Sequence, residues 1–156
     1  MITIDIPDFG TIELHHVVLD FNGTMAVDGH LIDGVAERLE ALSRVVDVHV
    51  VTADTFGRVR QELDGTSCSI DVLPPGNQAE AKLRFVEALG AAHTACYGNG
   101  RNDRSMLGSA ALGVVVMHEE GAASAAIAEA DVVAPSITAA LDLLLHPLRL
   151  VATLRS

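Results

Sequence analysis

The sequence has little positive charge and no long apolar segment, and each absence excludes a common class of protein. Lysine and arginine number 10 against 21 aspartates and glutamates, which gives a formal net charge of −11. A chain this acidic does not have a nucleic-acid backbone as its default partner. Its apolar runs are shorter than the roughly 18–20 residues that a membrane-spanning helix needs. We therefore expect neither nucleic acid nor a membrane as partner.

Cysteine is also scarce, and its pattern favours a cytoplasmic protein. Cys68 and Cys96 lie in apolar runs without CxxC spacing, so we expect two buried free thiols in a reducing compartment. Residues 1–7 contain neither the basic segment nor the apolar stretch of a signal peptide.

The seven histidines show no HxH or HExxH spacing, so we expect packing or surface roles for them.

Apolar residues make up 49% of the 156 residues, which suits a single domain spanning 1–156 with a core of its own. Short apolar runs alternate with segments of helical periodicity, as in repeated crossover units. The pattern predicts an α/β fold, a three-layer parallel sheet with helices on both faces. Core strands are predicted at 17–19, 45–51, 68–73, 94–97, 112–116 and 131–134.

Two hairpins are predicted in addition to this sheet. Residues 1–15 alternate apolar and polar side chains on either side of a turn at Pro7–Gly10. Residues 25–32 flank Asp28-Gly29, a strong two-residue hairpin signal. Helices are predicted to begin at Asp33, Asn77 and Ser136, which are all suitable N-cap residues.

Polar residues follow three of the predicted core strands. They are Asp20, Asn22 and Thr24 after the first, Thr52 and Asp54 after the second, and Asn99, Asn102 and Asp103 after the fourth. Ligands of open parallel sheets bind beyond these carboxyl ends. Asp20 suits a covalent nucleophile toward phosphorus, two aspartates from different loops suit Mg²⁺, and Thr52 suits a donor to phosphoryl oxygens. Lys82, the only lysine of the chain, suits the same donor role.

At this point the chain resembles the haloacid dehalogenase-like superfamily of phosphohydrolases over residues 16–145. Val17-Val-Leu-Asp-Phe-Asn-Gly-Thr24 is similar to the first motif, Val50-Val-Thr52 to the second, Lys82 to the third, and Gly98-Asn-Gly-Arg-Asn-Asp103 to the fourth. Within the superfamily the chain most resembles the soluble P-type ATPases, stand-alone proteins similar to the phosphorylation domain of cation pumps. The resemblance implies a Rossmann-like sheet, with residues 25–32 as a flap hairpin.

The resemblance also implies roles for individual residues. The implied catalytic residues are Asp20, Asn22, Thr52 and Lys82. The implied phosphate-binding residues are Asp20, Asn22, Gly23, Thr52, Ala53 and Lys82. The implied ligands of Mg²⁺ are Asp20, the backbone carbonyl of Asn22, Asn99 and Asp103. Together they imply a magnesium-dependent phosphohydrolase or phosphotransferase that passes through a phospho-aspartate at Asp20.

Two residues depart from the phosphatase pattern. Asn22 replaces the aspartate that serves as general acid and base, and an amide cannot exchange a proton at neutral pH. Because such catalysis contributes about 10²–10⁴-fold, turnover is expected to be slow. Asn99 replaces a metal-binding aspartate and removes one negative charge. A catalytically degenerate module that binds Mg²⁺, phosphate or a protein partner is therefore the alternative function.

The spacing of the motifs leaves no room for an inserted cap domain. Asp20 and Thr52 are 32 residues apart and Thr52 and Lys82 are 30 apart, each the length of one crossover. The nucleotide-binding insertion of the pumps is absent for the same reason, so ATPase activity is not expected. An uncapped site is open to a large phosphorylated substrate or to closure by a second subunit, and hairpin 1–15 is the candidate contact in a homo-oligomer.

A receiver-type phosphorylation switch is a third reading, because such proteins also use Asp, Thr and Lys at successive strand ends. A receiver places an acidic pair at its first strand end and the acceptor aspartate on a later strand. In this chain the acceptor candidate Asp20 comes first and is followed by Gly23-Thr24. The order of residues therefore disfavours this reading.

Overall fold

A six-stranded parallel sheet forms the centre of the structure, a computed structural model that describes residues 1–54 and 57–156. The strands in chain order are β1 (Ile2–Ile6), β2 (Gly10–Leu14), β3 (His16–Asp20), β4 (Ala26–Val27), β5 (His30–Leu31), β6 (Asp47–Thr52), β7 (Ser69–Val72), β8 (Thr94–Gly98), β9 (Leu112–Val116) and β10 (Val132–Ala134). The sheet has the order β10-β9-β8-β3-β6-β7. The predicted parallel α/β architecture is confirmed.

Helices cover both faces of this sheet. They are α1 (Val35–Ser43), α2 (Val59–Glu62), α3 (Gln78–Leu89), α4 (Arg104–Ser109), α5 (Ser124–Glu129), α6 (Ile137–Leu145) and α7 (Pro147–Leu154). Val17 and Leu19 of β3 pack in one apolar core with α1 and α6, whereas Val18 packs in a second core with α3, α4 and α5. Successive side chains of a strand point to opposite faces, so an uninterrupted apolar strand supplies both cores.

The amino-terminal hairpin is present as predicted, with β1 antiparallel to β2. It does not stand alone: Ile4, Ile6, Ile12 and Leu14 are buried in the larger core, and β1 contacts α7. The apolar face of the hairpin is therefore already covered within the chain. The face left for any contact with a second subunit carries polar residues such as Asp5 and Glu13.

The second predicted hairpin pairs Val27 with His30 across a two-residue turn. Asp28 and Gly29 have φ values of 51° and 79°, as a type I′ turn requires at both central positions. This turn matches the right-handed twist of its strands and fixes their register.

Helix caps confirm two of the three predicted helix starts. The side chains of Asn77 and Ser136 accept hydrogen bonds from the backbone of Glu80 and Ala139. The prediction for Asp33 is wrong, because α1 begins after Gly34, whose φ of 84° places the chain in the left-handed region. Glycine adopts that conformation without the strain that a side chain brings.

The carboxyl-terminal apolar segment is helix α7, which has proline at its first position and buries Leu150. Among the described residues, no single helix combines the length and apolar character that crossing a membrane requires. Helices α6 and α7 pass that test of length and composition only together, and the chain bends by 101° between them.

Candidate active site

The polar residues predicted at the strand ends come together at one edge of the sheet. Asp20 is the last residue of β3, Thr52 the last of β6, and the loop after Gly98 leaves β8. Strands β6 and β8 are the two neighbours of β3. Because all three run in parallel, their carboxyl ends meet, and the site lies where ligands of such sheets bind.

Lys82 holds the two aspartates of this edge together. Its Nζ atom lies 2.6 Å from Oδ1 of Asp20 and 2.7 Å from Oδ1 of Asp103. Lys82 is 1% exposed, Asp20 7% and Asp103 0%, so these are ion pairs in the interior of the protein. Charged hydrogen bonds of this kind are strong, and removing one partner leaves an uncompensated buried charge.

The loop after β8 is built around the Asp103 side chain. Its Oδ2 atom accepts hydrogen bonds from the backbone N–H of Asn99, at 3.0 Å, and of Gly100, at 2.8 Å. A Cβ atom on Gly98 would lie 2.5 Å from Cβ of Asp103, so only glycine permits this approach. Residues 98–103 thus fold around the carboxylate that they present to Lys82.

The electrostatics of the cluster are unbalanced, because two carboxylates share one ammonium group. Burial and the neighbouring Asp103 raise the pKa of Asp20 to about 7, despite the opposing effect of Lys82. Burial lowers the pKa of Lys82, but the two carboxylates more than offset it and raise that pKa above its ordinary value. Lys82 is therefore charged, and the cluster carries excess negative charge whenever Asp20 is ionised.

Thr24 links the cluster to the loop after β8. Its hydroxyl lies 3.3 Å from Oδ2 of Asp20 and 3.2 Å from Oδ1 of Asn99. The Asn99 side chain also donates from Nδ2 to the carbonyl of Gly121, at 3.0 Å. The contact with Gly121 could not be read from the sequence, since it depends on β9 being the next strand beyond β8.

Gly23 and Asn22 form the turn that follows Asp20. Gly23 has a φ of 78°, and a Cβ atom there would lie 2.5 Å from Nδ2 of Asn99, so glycine is required twice over. Oδ1 of Asn22 is buried and has no hydrogen-bond partner among the described residues. An acceptor left this way loses the solvation that it had in water unless a ligand or a cation restores it.

The structure places Thr52 at the same edge but gives it no bond to the Asp20 cluster among the described residues. The Thr52 hydroxyl is buried and accepts a hydrogen bond from the Asp54 N–H at 3.0 Å, which leaves its own proton available. Ala53 follows and is exposed. Thr52 thus ends the strand that neighbours the strand of Asp20, and Ala53 begins the loop beyond it.

The side chains at this edge offer oxygen ligands of the kind that a divalent cation prefers. Asp20 and Asp103 supply carboxylates, and Asn22 and Asn99 supply amide oxygens, one of them buried without a partner. Mg²⁺ commonly takes one or two carboxylates and keeps water or substrate phosphate for its other positions. The donor set, with its excess negative charge, fits such an ion.

Four of the seven histidines lie at the opposite end of the sheet. The rings of His15 and His93 stack at 4.9 Å, and Nδ1 of His16 lies 3.3 Å from Nε2 of His49. Burial, then His16, lowers the pKa of His49. Within the described ranges no group of three or more His, Cys, Asp or Glu side chains is arranged to hold a metal ion. These four histidines therefore pack against one another or lie at the surface, away from Asp20.

Comparison with known proteins places these features in context. No protein-family model matches the chain. An uncharacterized protein of Methanocaldococcus jannaschii is 42% identical over 84 residues, which are 51% of this chain and 90% of that protein. A second uncharacterized protein of the same organism is 44% identical over 39 residues, 25% of this chain and 89% of its own length. The chain belongs to the same family as these proteins.

Solved structures identify the fold. The 3-deoxy-D-manno-octulosonate 8-phosphate phosphatase of Moraxella catarrhalis, in complex with magnesium, phosphate and the sugar acid, has a TM-score of 0.65 at 18% identity, covering 85% of this chain and 86% of its own. The cobalt-bound phosphatase of Haemophilus influenzae has a TM-score of 0.62 at 16% identity, covering 85% and 88%. A hydrolase of the haloacid dehalogenase superfamily from Legionella pneumophila has a TM-score of 0.61 at 16% identity, covering 90% of this chain and 86% of its own. This chain has the haloacid dehalogenase-like fold.

Within the haloacid dehalogenase-like fold, the close approach of Gly98 to Asp103 leads to a prediction. Gly98→Ala places a methyl group 2.5–2.7 Å from three side-chain atoms of Asp103, which must then move away from Lys82. We expect a loss of about 1–3 kcal/mol in the free energy of unfolding, as for other overpacked sites. Urea unfolding measures it, and an unchanged midpoint would contradict the tight loop described above.

Proposed function

We propose that the protein is a phosphohydrolase or phosphotransferase that transfers a phosphoryl group to Asp20 with the help of a divalent cation, Mg²⁺. The observation that carries the proposal is the buried cluster in which Lys82 contacts both Asp20 and Asp103 at the carboxyl edge of the sheet. Three charged side chains from three separate elements converge there. An ion pair that only stabilises the fold needs neither a place at the carboxyl edge of the sheet nor a second carboxylate.

In the proposed reaction a carboxylate oxygen of Asp20 attacks the phosphorus of a phosphate ester. The bond from phosphorus to the ester oxygen breaks, and the leaving alkoxide takes a proton from water. A water molecule then attacks the phosphorus of the aspartyl phosphate, which releases inorganic phosphate and restores the Asp20 carboxylate. Transfer to another hydroxyl in place of water gives the phosphotransferase reaction.

The residues around Asp20 suit the binding of the transferring group. Lys82 has an ammonium group next to Asp20, and Thr52, at the adjoining strand end, has a hydroxyl proton that no acceptor takes among the described residues. The backbone N–H of Gly23 already donates to the carbonyl of Ala26 at 2.9 Å, so Ala53 is the proposed backbone donor beside Thr52. Donors fixed in this way stabilise charge on the equatorial oxygens of a phosphoryl group without reorganising during the reaction.

The proposed cation would be held by Asp20, the carbonyl of Asn22, Asn99 and Asp103. It would neutralise phosphate charge and offset the carboxylates that Lys82 alone does not balance. The magnesium and cobalt ions in the two phosphatases of similar fold support a divalent cation. Asn99 can serve only by its amide oxygen, which now lies 3.2 Å from the Thr24 hydroxyl.

Asn22 is the reason to expect slow turnover. A carboxamide neither donates a proton to the leaving oxygen nor accepts one from the attacking water. The resemblance to soluble P-type ATPases suggests a phosphorylated enzyme of long lifetime. Activity on ATP is not part of the proposal, because Asp20 and Thr52 are only 32 residues apart, which leaves no room for a nucleotide-binding insertion.

Asn22→Asp is expected to raise the rate of phosphoester hydrolysis. The new carboxylate supplies general acid and base catalysis, which contributes about 10²–10⁴-fold in other enzymes, and we expect at least a tenfold gain here. Steady-state hydrolysis of p-nitrophenyl phosphate with Mg²⁺ measures it. Gln61→Glu, the same amide-to-acid change at an exposed position of α2, is the control and should leave the rate unchanged. A rate that is equal or lower in Asn22→Asp would contradict the role assigned to Asn22.

Incubation with a phosphoryl donor tests the proposed function directly. The protein is mixed with Mg²⁺ and acetyl phosphate or p-nitrophenyl phosphate, trapped in acid, and digested for mass spectrometry. The expected product is an aspartyl phosphate on the peptide that contains Asp20. No label and no turnover across a broad set of phosphate esters would refute the proposal.

A non-catalytic module that binds Mg²⁺, phosphate or a protein partner is the second candidate. It is favoured by Asn99, whose amide already bonds to Thr24 and Gly121, and by the absence of an acid at position 22. Cells that carry Asp20→Asn distinguish the two functions. A wild-type phenotype supports the module, whereas loss of function supports catalysis.

A further inference from the structure

A cleft of about 430 Å³ opens beside the candidate active site. Its walls are residues 76–79, at the beginning of α3, and Arg101, Asn102 and Arg104 from the loop that supplies Asp103. Arg101 precedes Asp103 by two residues. Gln78 precedes Lys82 by four, which places both on the same side of α3. The cleft therefore adjoins the Lys82–Asp103 contact along both of its walls.

The charge of this cleft is opposite to that of the protein. Among the described residues that line it, two are arginines and none is acidic, although the whole chain has a formal net charge of −11. The first backbone N–H groups of α3 also lie in its wall and have no partner within the helix. An anion that enters the cleft meets only cationic and neutral groups.

Four arginines of the chain contact other side chains, whereas Arg101 and Arg104 have no such partner among the described residues. Arg38 and Arg149 pair with Asp142, Arg84 pairs with Glu80, and Arg58 contacts His30. Neither Arg101 nor Arg104 makes a side-chain hydrogen bond or ion pair within the part of the chain that the structure describes. Arg104 also borders a second groove that contains Glu87 and Glu129, so Arg101 is the better arginine with which to test this cleft.

Gln78 also lies in the wall of the cleft. Its Nε2 atom donates to the carbonyl of Pro74 at 2.9 Å, which fixes the side chain at the beginning of α3.

We propose that this cleft binds a second anionic group, a carboxylate or a second phosphate, on the part of the substrate that leaves when Asp20 takes the phosphoryl group. The inference rests on the proposed function, since it assigns a substrate class to the same site. The leaving group departs from phosphorus on the side opposite the attacking oxygen, where no cap domain encloses it. Arg101 is then a specificity-determining residue, because it binds the leaving group without contacting the reacting atoms.

The experiment uses pairs of substrates that differ in one anionic group. The carboxylate pair is 3-phosphoglycerate and glycerol 3-phosphate, and the phosphate pair is fructose 1,6-bisphosphate and fructose 6-phosphate. For each ester kcat/KM is measured with Mg²⁺, and Kd is measured by calorimetry on Asp20→Asn, which cannot turn the ester over. The variant Arg101→Gln is compared with Arg44→Gln, a matched loss of charge at an exposed position at the other end of the sheet.

We expect the wild type to favour the member with the additional anionic group in at least one pair about tenfold, in keeping with a charged hydrogen bond at a partly exposed site. Arg101→Gln should abolish that preference and leave kcat/KM for glycerol 3-phosphate and fructose 6-phosphate within twofold of the wild type, while Arg44→Gln changes neither. Equal kcat/KM and equal Kd within both pairs, or a preference that survives in Arg101→Gln, would overturn the inference. If no ester is turned over but the difference in Kd depends on Arg101, the proposed catalysis fails and the anion site stands.

Discussion

Asp20→Asn is expected to lower phosphoester turnover at least about a thousandfold and to abolish labelling by acetyl phosphate. The carboxamide has nearly the shape of the carboxylate but lacks the anionic oxygen that attacks phosphorus, and loss of a nucleophile has effects of this size or larger. Turnover of p-nitrophenyl phosphate and mass spectrometry of the Asp20 peptide measure the two effects.

The fold of this variant is expected to remain intact. Asparagine can still accept the hydrogen bond from Lys82, and Lys82 then faces the single carboxylate of Asp103 at 2.7 Å. Asp71→Asn is the matched control, since it removes the same charge from the edge strand β7. Retained turnover in Asp20→Asn, or an equal loss in Asp71→Asn, would show that Asp20 is not the nucleophile.

The same variant tests the electrostatics of the cluster through the pH dependence of stability. The pKa of Asp20 is raised from 3.8 to about 7 in the folded protein, first by burial and then by Asp103. A raised carboxyl pKa gives a stabilisation that is complete below the unfolded pKa and is lost as the pH rises through about 7. The free energy of unfolding of the metal-free wild type should therefore fall as the pH rises from 3.8 to about 7. The free energy of unfolding of Asp20→Asn should fall less over the same range.

The layered sheet and the meeting of the strand ends were predictable from the sequence because both follow from local patterns. Runs such as 17–19 are apolar throughout, which predicts a strand covered on both faces, and parallel strands bring their carboxyl ends to one edge. Asp20 and Asp103 are therefore neighbours in any sheet of this order. The start of α1 was less predictable, because Asp33 and Gly34 both suit a helix start and the left-handed turn decides between them.

The contacts within the site were less predictable, because they depend on distances between loops. The sequence predicts Lys82 as a donor to phosphate but does not show that its ammonium group contacts two carboxylates. It predicts Asn99 as a metal ligand but does not show that its side chain bonds to Thr24 and Gly121. The cleft beside Arg101 arises from the packing of the loop after β8 against α3, a relation that no spacing encodes.

These contacts give Lys82 two functions that compete for the same ammonium group. In the absence of a ligand it neutralises the carboxylates, and during the proposed reaction it would face a phosphoryl group that carries negative charge. A divalent cation reconciles the two functions because it takes over the carboxylates and leaves the ammonium group free for phosphate. The single lysine of the chain is thus expected to matter both for folding and for substrate binding.

Lys82→Met is accordingly expected to lower the free energy of unfolding by about 3–5 kcal/mol, the cost of breaking a buried ion pair from one side. The variant leaves Asp20 and Asp103 buried without a cation, although methionine fills most of the space. Chemical denaturation measures the loss. Arg84→Met removes an exposed charge from the same helix and should cost no more than about 0.5 kcal/mol.

The pH dependence and a second substitution separate charge from packing. Without Lys82 the pKa of Asp20 rises further, so Lys82→Met should regain stability as the pH falls and lose it as the pH rises through neutrality. Replacing Asp103 by asparagine in the Lys82→Met background removes one of the two neighbouring negative charges and should restore part of the lost stability. Binding of inorganic phosphate in the presence of Mg²⁺ should be weakened in both variants, and unchanged binding would show that Lys82 serves the fold alone.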